Sequence, residues 1–150
     1  RDTIGFVFQS YNLIPVFTAL ENTEYILMLQ KVPTKKRHDI AKGILDEVGL
    51  GDKTHHYPRQ LSGGQQQRVA IARAIAACPP LILADEPTAN VDSRTAGDLL
   101  DLMQRLHEEK GITFLFSTHD TAVMKRAKRL LWLKDGHITY DGPPQNFELP

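Results

Sequence analysis

The run Leu81-Ile82-Leu83-Ala84, followed by Asp85-Glu86-Pro87, limits the fold more than any other stretch of the chain. Four apolar residues without alternation read as a strand buried on both faces, as inside a parallel sheet flanked by helices. Two carboxylates stand where that strand must end. Successive strand side chains point to opposite sides, so Asp85 and Glu86 address different targets from one place. Pro87 cannot continue the ladder and biases the residue before it towards an extended conformation, which predicts an extended Glu86 at the strand's end. Ligands of open α/β sheets bind outside the carboxyl ends of the strands. There, one acid can hold a hydrated cation while its neighbour polarises a nucleophilic water. The same seven residues also fit a strand followed by a solvated acidic turn, and the choice falls to the rest of the chain.

Two further runs, Ile4-Gly5-Phe6-Val7-Phe8 and Ile112-Thr113-Phe114-Leu115-Phe116, read as buried strands. Gln9 stands at the end of the first and Ser117-Thr118-His119-Asp120 at the end of the second. Between the acidic strand and the latter lies a helix capped by Asp92 or Ser93, with Leu99, Leu100, Leu102, Met103 and Leu106 as its core stripe and Gly111 at its end. Strand, helix, strand implies a right-handed crossover and parallel neighbours, which places His119 on the same sheet edge as Asp85 and Glu86.

The middle of the chain is helical in pattern. Thr18-Ala19-Leu20-Glu21 is a capping box that starts a helix running to about Gln30. Thr34 is expected to cap a second helix, with Ile40, Ile44, Leu45 and Val48 at helical spacing and Gly49 as a left-handed end. Ser62 is expected to cap a third that continues through Ala77. Its first turn holds Gly63 and Gly64, which cost a helix about 1 kcal/mol each relative to alanine. They bare backbone N–H groups at the positive helix end, a combination suited to phosphate. The tail, residues 130–140, carries Asp135-Gly136 between apolar runs and reads as a hairpin.

Composition narrows the partners. With 18 basic and 18 acidic residues among 150, nothing advertises a nucleic-acid surface or a polybasic membrane patch, and Lys35-Lys36-Arg37 reads as a solvated helix face. The single cysteine, Cys78, reads as a buried spacer and fits a reducing cytoplasm. His55-His56 lacks a third ligand at a recognisable spacing and reads as exposed loop. The longest apolar stretch, Ala74 to Ala84, is 11 residues, too short to span a bilayer. The chain begins at Arg1, directly before an apolar strand, and so reads as a fragment whose N-terminal part is absent.

Taken together, these pieces resemble the nucleotide-binding subunit of ATP-binding cassette (ABC) transporters over essentially the whole chain. Gln9 matches the Q-loop, Leu61-Ser62-Gly63-Gly64-Gln65 the signature, residues 81–86 the Walker B strand, residues 90–92 the D-loop region and His119 the switch histidine. Within the family, residues 6–22 and the Ser117-Thr118-His119-Asp120 ending are similar to the bacterial lipoprotein-releasing and macrolide-export group. No G-x-x-x-x-G-K-[ST] phosphate loop occurs in these 150 residues; in the family that loop precedes the Q-loop.

The resemblance implies a P-loop NTPase-like, mostly parallel α/β sheet with helices on both faces and a helical subdomain. Residues 1–9 and 78–150 would form the core and residues 10–77 the subdomain. It implies a cytoplasmic, membrane-peripheral ATPase using ATP and Mg2+. Asp85 and Gln9 would hold the metal, and Glu86 would act as base or water-orienting group with His119 and Gln9 beside it. Ser62, Gly63, Gly64, Gln65 and Asp92 would serve ATP held by a second copy in a head-to-tail homodimer. Residues 10–30, with Tyr11, Leu13 and Phe17 for apolar contact, would receive transmembrane permease subunits. A soluble cassette ATPase of chromosome maintenance or DNA repair shares these motifs, but it would carry a long coiled coil where residues 10–60 show no sustained heptads. A non-catalytic partner-binding module is the third reading, and the presence of Glu86 and His119 argues against it.

Overall fold

The computed structural model describes residues 4–147. They form two compact units, one ending at Ser117 and one beginning at Thr118.

In the first unit, strand β1 (Ile4–Val7) leads into helices α1 (Ala19–Leu29), α2 (Thr34–Glu47) and α3 (Gly63–Ile75). Strand β2 (Leu81–Asp85), helix α4 (Ser93–Lys110) and strand β3 (Thr113–Ser117) follow. The three strands make a wholly parallel sheet in the order β1-β2-β3, with Ile4 opposite Leu81 and Asp85 opposite Ser117. All three chain exits therefore lie at one edge, as the strand–helix–strand order requires. Helix α1 packs on α2 and α3, α3 on β1, and α4 on α3 and β3. One continuous core results, with Leu45, Ile71, Ile82, Leu99, Met103 and Leu106 fully buried.

Local chemistry explains most of the boundaries. Thr18 and Glu21 exchange both bonds of a capping box at the start of α1. Helix α2 ends at Gly49, whose φ of 77° is the left-handed conformation a β-carbon disfavours. Asp92 caps α4, whose five expected stripe residues are all buried, and Gly111 ends it at φ 68°.

Other boundaries differ from expectation. Thr34 is the first residue of α2, and its cap is Pro33, whose fixed φ suits a helix entrance but which offers no side-chain acceptor. Helix α3 stops at Ile75; the chain then turns through Cys78, whose N–H donates to the Ile75 carbonyl at φ 50°. That turn leaves Cys78 exposed rather than buried. Nor are the strands buried on both faces among the described residues. Gly5, Val7, Ile82 and Ala84 face the helices, whereas Ile4, Phe6 and Leu115 are 44%, 46% and 52% exposed. The strand period of two delivers alternate residues to opposite faces, and the helices of this unit cover one of them.

In the second unit, a short helix α5 (Thr121–Arg126), capped by Asp120, precedes the antiparallel pair β4 (Leu130–Lys134) and β5 (His137–Gly142). Asp135 and Gly136, both at positive φ, make the tight turn that their sequence announces. Trp132 and Tyr140 pack against Phe147. Among the described residues no helix is long and apolar enough to cross a membrane.

Candidate functional site

The carboxyl edge of the sheet is built by register. Val7 pairs with Ala84 and Asp85 with Ser117, so Gln9, Asp85 and Glu86 leave neighbouring strand ends at the same level. Gln9 and Asp85 are exposed.

Glu86 departs from the expected extended conformation. Its φ is 43°, in the left-handed region that a non-glycine residue occupies only under constraint. The constraints are specific. Its N–H donates to the Ser117 carbonyl at 2.8 Å, and its own carbonyl accepts from the Ala89 N–H at 3.2 Å. One residue on, the Pro87 carbonyl accepts a 2.7 Å bond from the Gln67 amide of α3. The proline bias is local, and these tertiary bonds override it.

The N-terminus of α3 adjoins the loops that leave this edge, with Gly63 beside Tyr11 and Asn90. Ser62 Oγ accepts from the Gln65 N–H and Gln65 Oε1 accepts from the Ser62 N–H, a complete capping box. Both side chains are thus used within the cap, and the first-turn N–H groups of Gly63 and Gly64 have no helical acceptor, the arrangement that suits an anion. Packing supplies a second reason for glycine here. A β-carbon on Gly63 would lie 2.8 Å from the Tyr11 hydroxyl and 3.3 Å from the Asn90 carbonyl. One on Gly64 would overlap the Thr95 methyl.

Asp92 lies beside this helix start through Thr95. Its carboxylate accepts from the N–H groups of Arg94 and Thr95 and from the Thr95 hydroxyl at 2.6 Å. The Thr95 hydroxyl bond first, then the Thr95 N–H, hold its carboxyl below the usual aspartate range.

The loop after Gln9 is tied down at several points. Tyr11 and Asn12 are both left-handed, and Arg73 of α3 donates to their carbonyls at 2.9 and 2.6 Å. Burial lowers the Arg73 guanidinium from its ordinary value, and it remains cationic. Asn90 donates to the Gln9 carbonyl at 2.8 Å, and the Tyr11 hydroxyl donates to the Asn90 carbonyl at 3.2 Å. The buried Asn22 side chain accepts from the Ile14 N–H and donates to the Ile14, Phe17 and Thr18 carbonyls, which fixes the return to α1. Burial raises the Tyr11 phenol above its ordinary value.

Within residues 10–30, Tyr11, Leu13 and Phe17 are each half-buried. The Tyr11 hydroxyl is engaged with Asn90, Leu13 packs against the core and Phe17 against Tyr25. Val16, Met28 and Leu29 of the same segment are exposed, Val16 most, at 74%.

The first unit thus places Gln9, Asp85 and Glu86 at the strand exits and Ser62, Gly63, Gly64 and Gln65 at the start of α3, with Asp92 linked to that start through Thr95. His119 belongs to the second unit, exposed, two residues beyond the end of β3. Sequence reasoning missed Gln67, Arg73 and Asn22. A signal existed for Gln67, since it stands at helical spacing from the buried Ala70, Ile71 and Ala74 and so continues their stripe.

Residues 1–89 match the family model described as ABC transporter. The chain belongs to the ABC transporter family. It is 53% identical over 135 residues to an uncharacterized ABC transporter ATP-binding protein of Thermotoga maritima, covering 90% of this chain and 57% of that one. It is 45% identical over 136 residues to the lipoprotein-releasing system ATP-binding protein LolD of Syntrophus aciditrophicus, covering 91% of this chain and 61% of the relative. Its fold matches the dimeric ATP-binding cassette MJ0796 bound to ADP and Pi, with TM-score 0.84 and 45% identity over 97% of this chain and 65% of the other. The chain therefore spans about three-fifths of the length of these curated relatives.

Proposed function

We propose that the full-length protein is the ATP-binding and ATP-hydrolysing subunit of an ABC transporter, driving export or lipoprotein release from the cytoplasmic face of the membrane. The observation that carries this reading is the delivery of Gln9, Asp85 and Glu86 by two neighbouring strand ends at one sheet edge, with the signature helix bonded to the turn that leaves it.

Residues 1–9 and 78–150 act as the catalytic core and residues 10–77 as its helical subdomain. Asp85 and Gln9 offer exposed oxygen donors, the type magnesium prefers, and a magnesium that also binds nucleotide phosphates needs only one or two protein carboxylates. When bound, that ion supplies charge neutralisation for the phosphates. Glu86 takes or orients the proton of a water whose oxygen forms the new bond to the γ-phosphorus as the bond to the leaving ADP oxygen breaks. Catalysis of this kind is mostly positioning, which gives the constrained backbone at Glu86 its use. His119 contacts the γ-phosphate.

The N–H groups of Gly63 and Gly64 receive the γ-phosphate of ATP held by a second copy in a head-to-tail homodimer, with Ser62 and Gln65 holding that helix start and Asp92 at the same interface. Residues 10–30 receive a transmembrane permease subunit, with Val16 as an apolar contact.

The experiment is Mg-ATP hydrolysis by the full-length protein and its Glu86→Gln form. The expected outcome is loss of most turnover with ATP binding retained. Full turnover in Glu86→Gln would remove Glu86 from the mechanism.

A further inference from the structure

Gln67 is fully buried, yet it carries a polar side chain in the helix that begins with the signature residues. Its amide nitrogen donates to the Pro87 carbonyl at 2.7 Å, across 20 residues of sequence. Its Oε1 has no hydrogen-bond partner among the described residues. A buried acceptor without a partner is costly, so an apolar residue would serve packing alone better. What Gln67 holds is the turn that contains Glu86. The Pro87 carbonyl is fixed by Gln67 on one side, and the Glu86 N–H is fixed by the Ser117 carbonyl on the other. Between these two anchors Glu86 sits at φ 43°.

We propose that Gln67 is a positioning residue for Glu86, through which the placement of the signature helix sets the angle of the water-orienting carboxylate. The inference rests on the proposed role of Glu86. A shift of α3 moves the Gln67 amide, and with it the carbonyl next to Glu86. Whatever docks on the Gly63-Gly64 turn at the start of the same helix is thereby coupled to the acid at the sheet edge.

The test uses the full-length protein with Gln67→Met, of similar length but without a donor, and Gln67→Asn, which keeps the amide but withdraws it by one methylene. Both remove the bond to Pro87. The expected result is a fall in kcat for Mg-ATP of about 10- to 100-fold, with KM changed less than twofold, because misplacement of a positioned group acts on the reacting complex. The same substitutions are then made in Glu86→Gln protein. There they should leave the residual rate unchanged, since the group they position is gone. A further drop in that background, or a wild-type kcat in either single variant, overturns the proposal. Should Gln67→Met unfold, Gln67→Asn alone carries the comparison. Full turnover in Glu86→Gln alone would instead strike the reading of Glu86, so the two failures are distinguishable.

Discussion

Gly64 allows steric and electrostatic roles to be separated. A β-carbon at Gly64 would overlap the Thr95 Cγ2 methyl, with Thr95 Cβ at 3.7 Å. Thr95 cannot turn away freely, because its hydroxyl donates to Asp92 at 2.6 Å. Overpacking of this kind costs about 1–3 kcal/mol, while alanine in place of glycine in a helix recovers up to about 1 kcal/mol. Gly64→Ala should therefore destabilise the protein by up to about 2 kcal/mol. Thr95→Ser removes the methyl and keeps the hydroxyl that Asp92 accepts. In that background Gly64→Ala should stabilise by up to about 1 kcal/mol, giving a coupling of about 1–3 kcal/mol between the two sites. Chemical denaturation of the four proteins measures this cycle directly. ATP hydrolysis adds the second readout: a β-carbon still crowds the bared N–H groups, so the double variant should regain stability and stay slow. The same cost for Gly64→Ala in both backgrounds would refute the steric account, and full hydrolysis by the double variant would refute the anion-site account.

Other substitutions probe the supports of the site. Arg73→Met removes two bonds from a partly buried cation to the Tyr11 and Asn12 carbonyls and should cost about 2 kcal/mol in denaturation, with faster amide exchange in the loop after Gln9. Leu99→Ala empties a fully buried position of the α4 stripe and should cost about 2–5 kcal/mol by the same measurement. Asp92 binds its proton less tightly folded than unfolded. Its contribution to stability is therefore complete above the ordinary aspartate range and is lost as pH falls through the lower folded value. Asp92→Asn should flatten that part of an acid titration of stability.

The parts legible in the sequence were those set by local chemistry. Helix α4 announced itself through an acidic cap, five apolar residues at helical spacing and a terminal glycine, each of which acts within a turn or two of the chain. The parallel order of β2 and β3 followed from the crossover between them, and the capping box at Thr18 and the N-cap at Ser62 were readable residue by residue. What escaped was set by contacts distant in sequence. Glu86 turns left-handed because Ser117 and Gln67, from another strand and another helix, hold the backbone around it. Gln65, Gln66 and Gln67 are chemically identical, and only the helix phase against the Pro87 turn buries the third. Cys78 looked like part of an apolar run, but the end of α3 two residues after Arg73 turned it outward. The six residues of α5 are too few to establish a period.

The most direct test of the account is the arrangement of two lesions in dimers of the full-length protein. One dimer carries Ser62→Arg in one subunit and Glu86→Gln in the other; a second carries both changes in one subunit beside an unchanged partner. If each site joins the sheet edge of one copy to the signature helix of the other, the first dimer keeps one intact site and the second keeps none. The account predicts ATP hydrolysis by the first and near loss in the second. Equal rates in the two, or the reverse order, would contradict it.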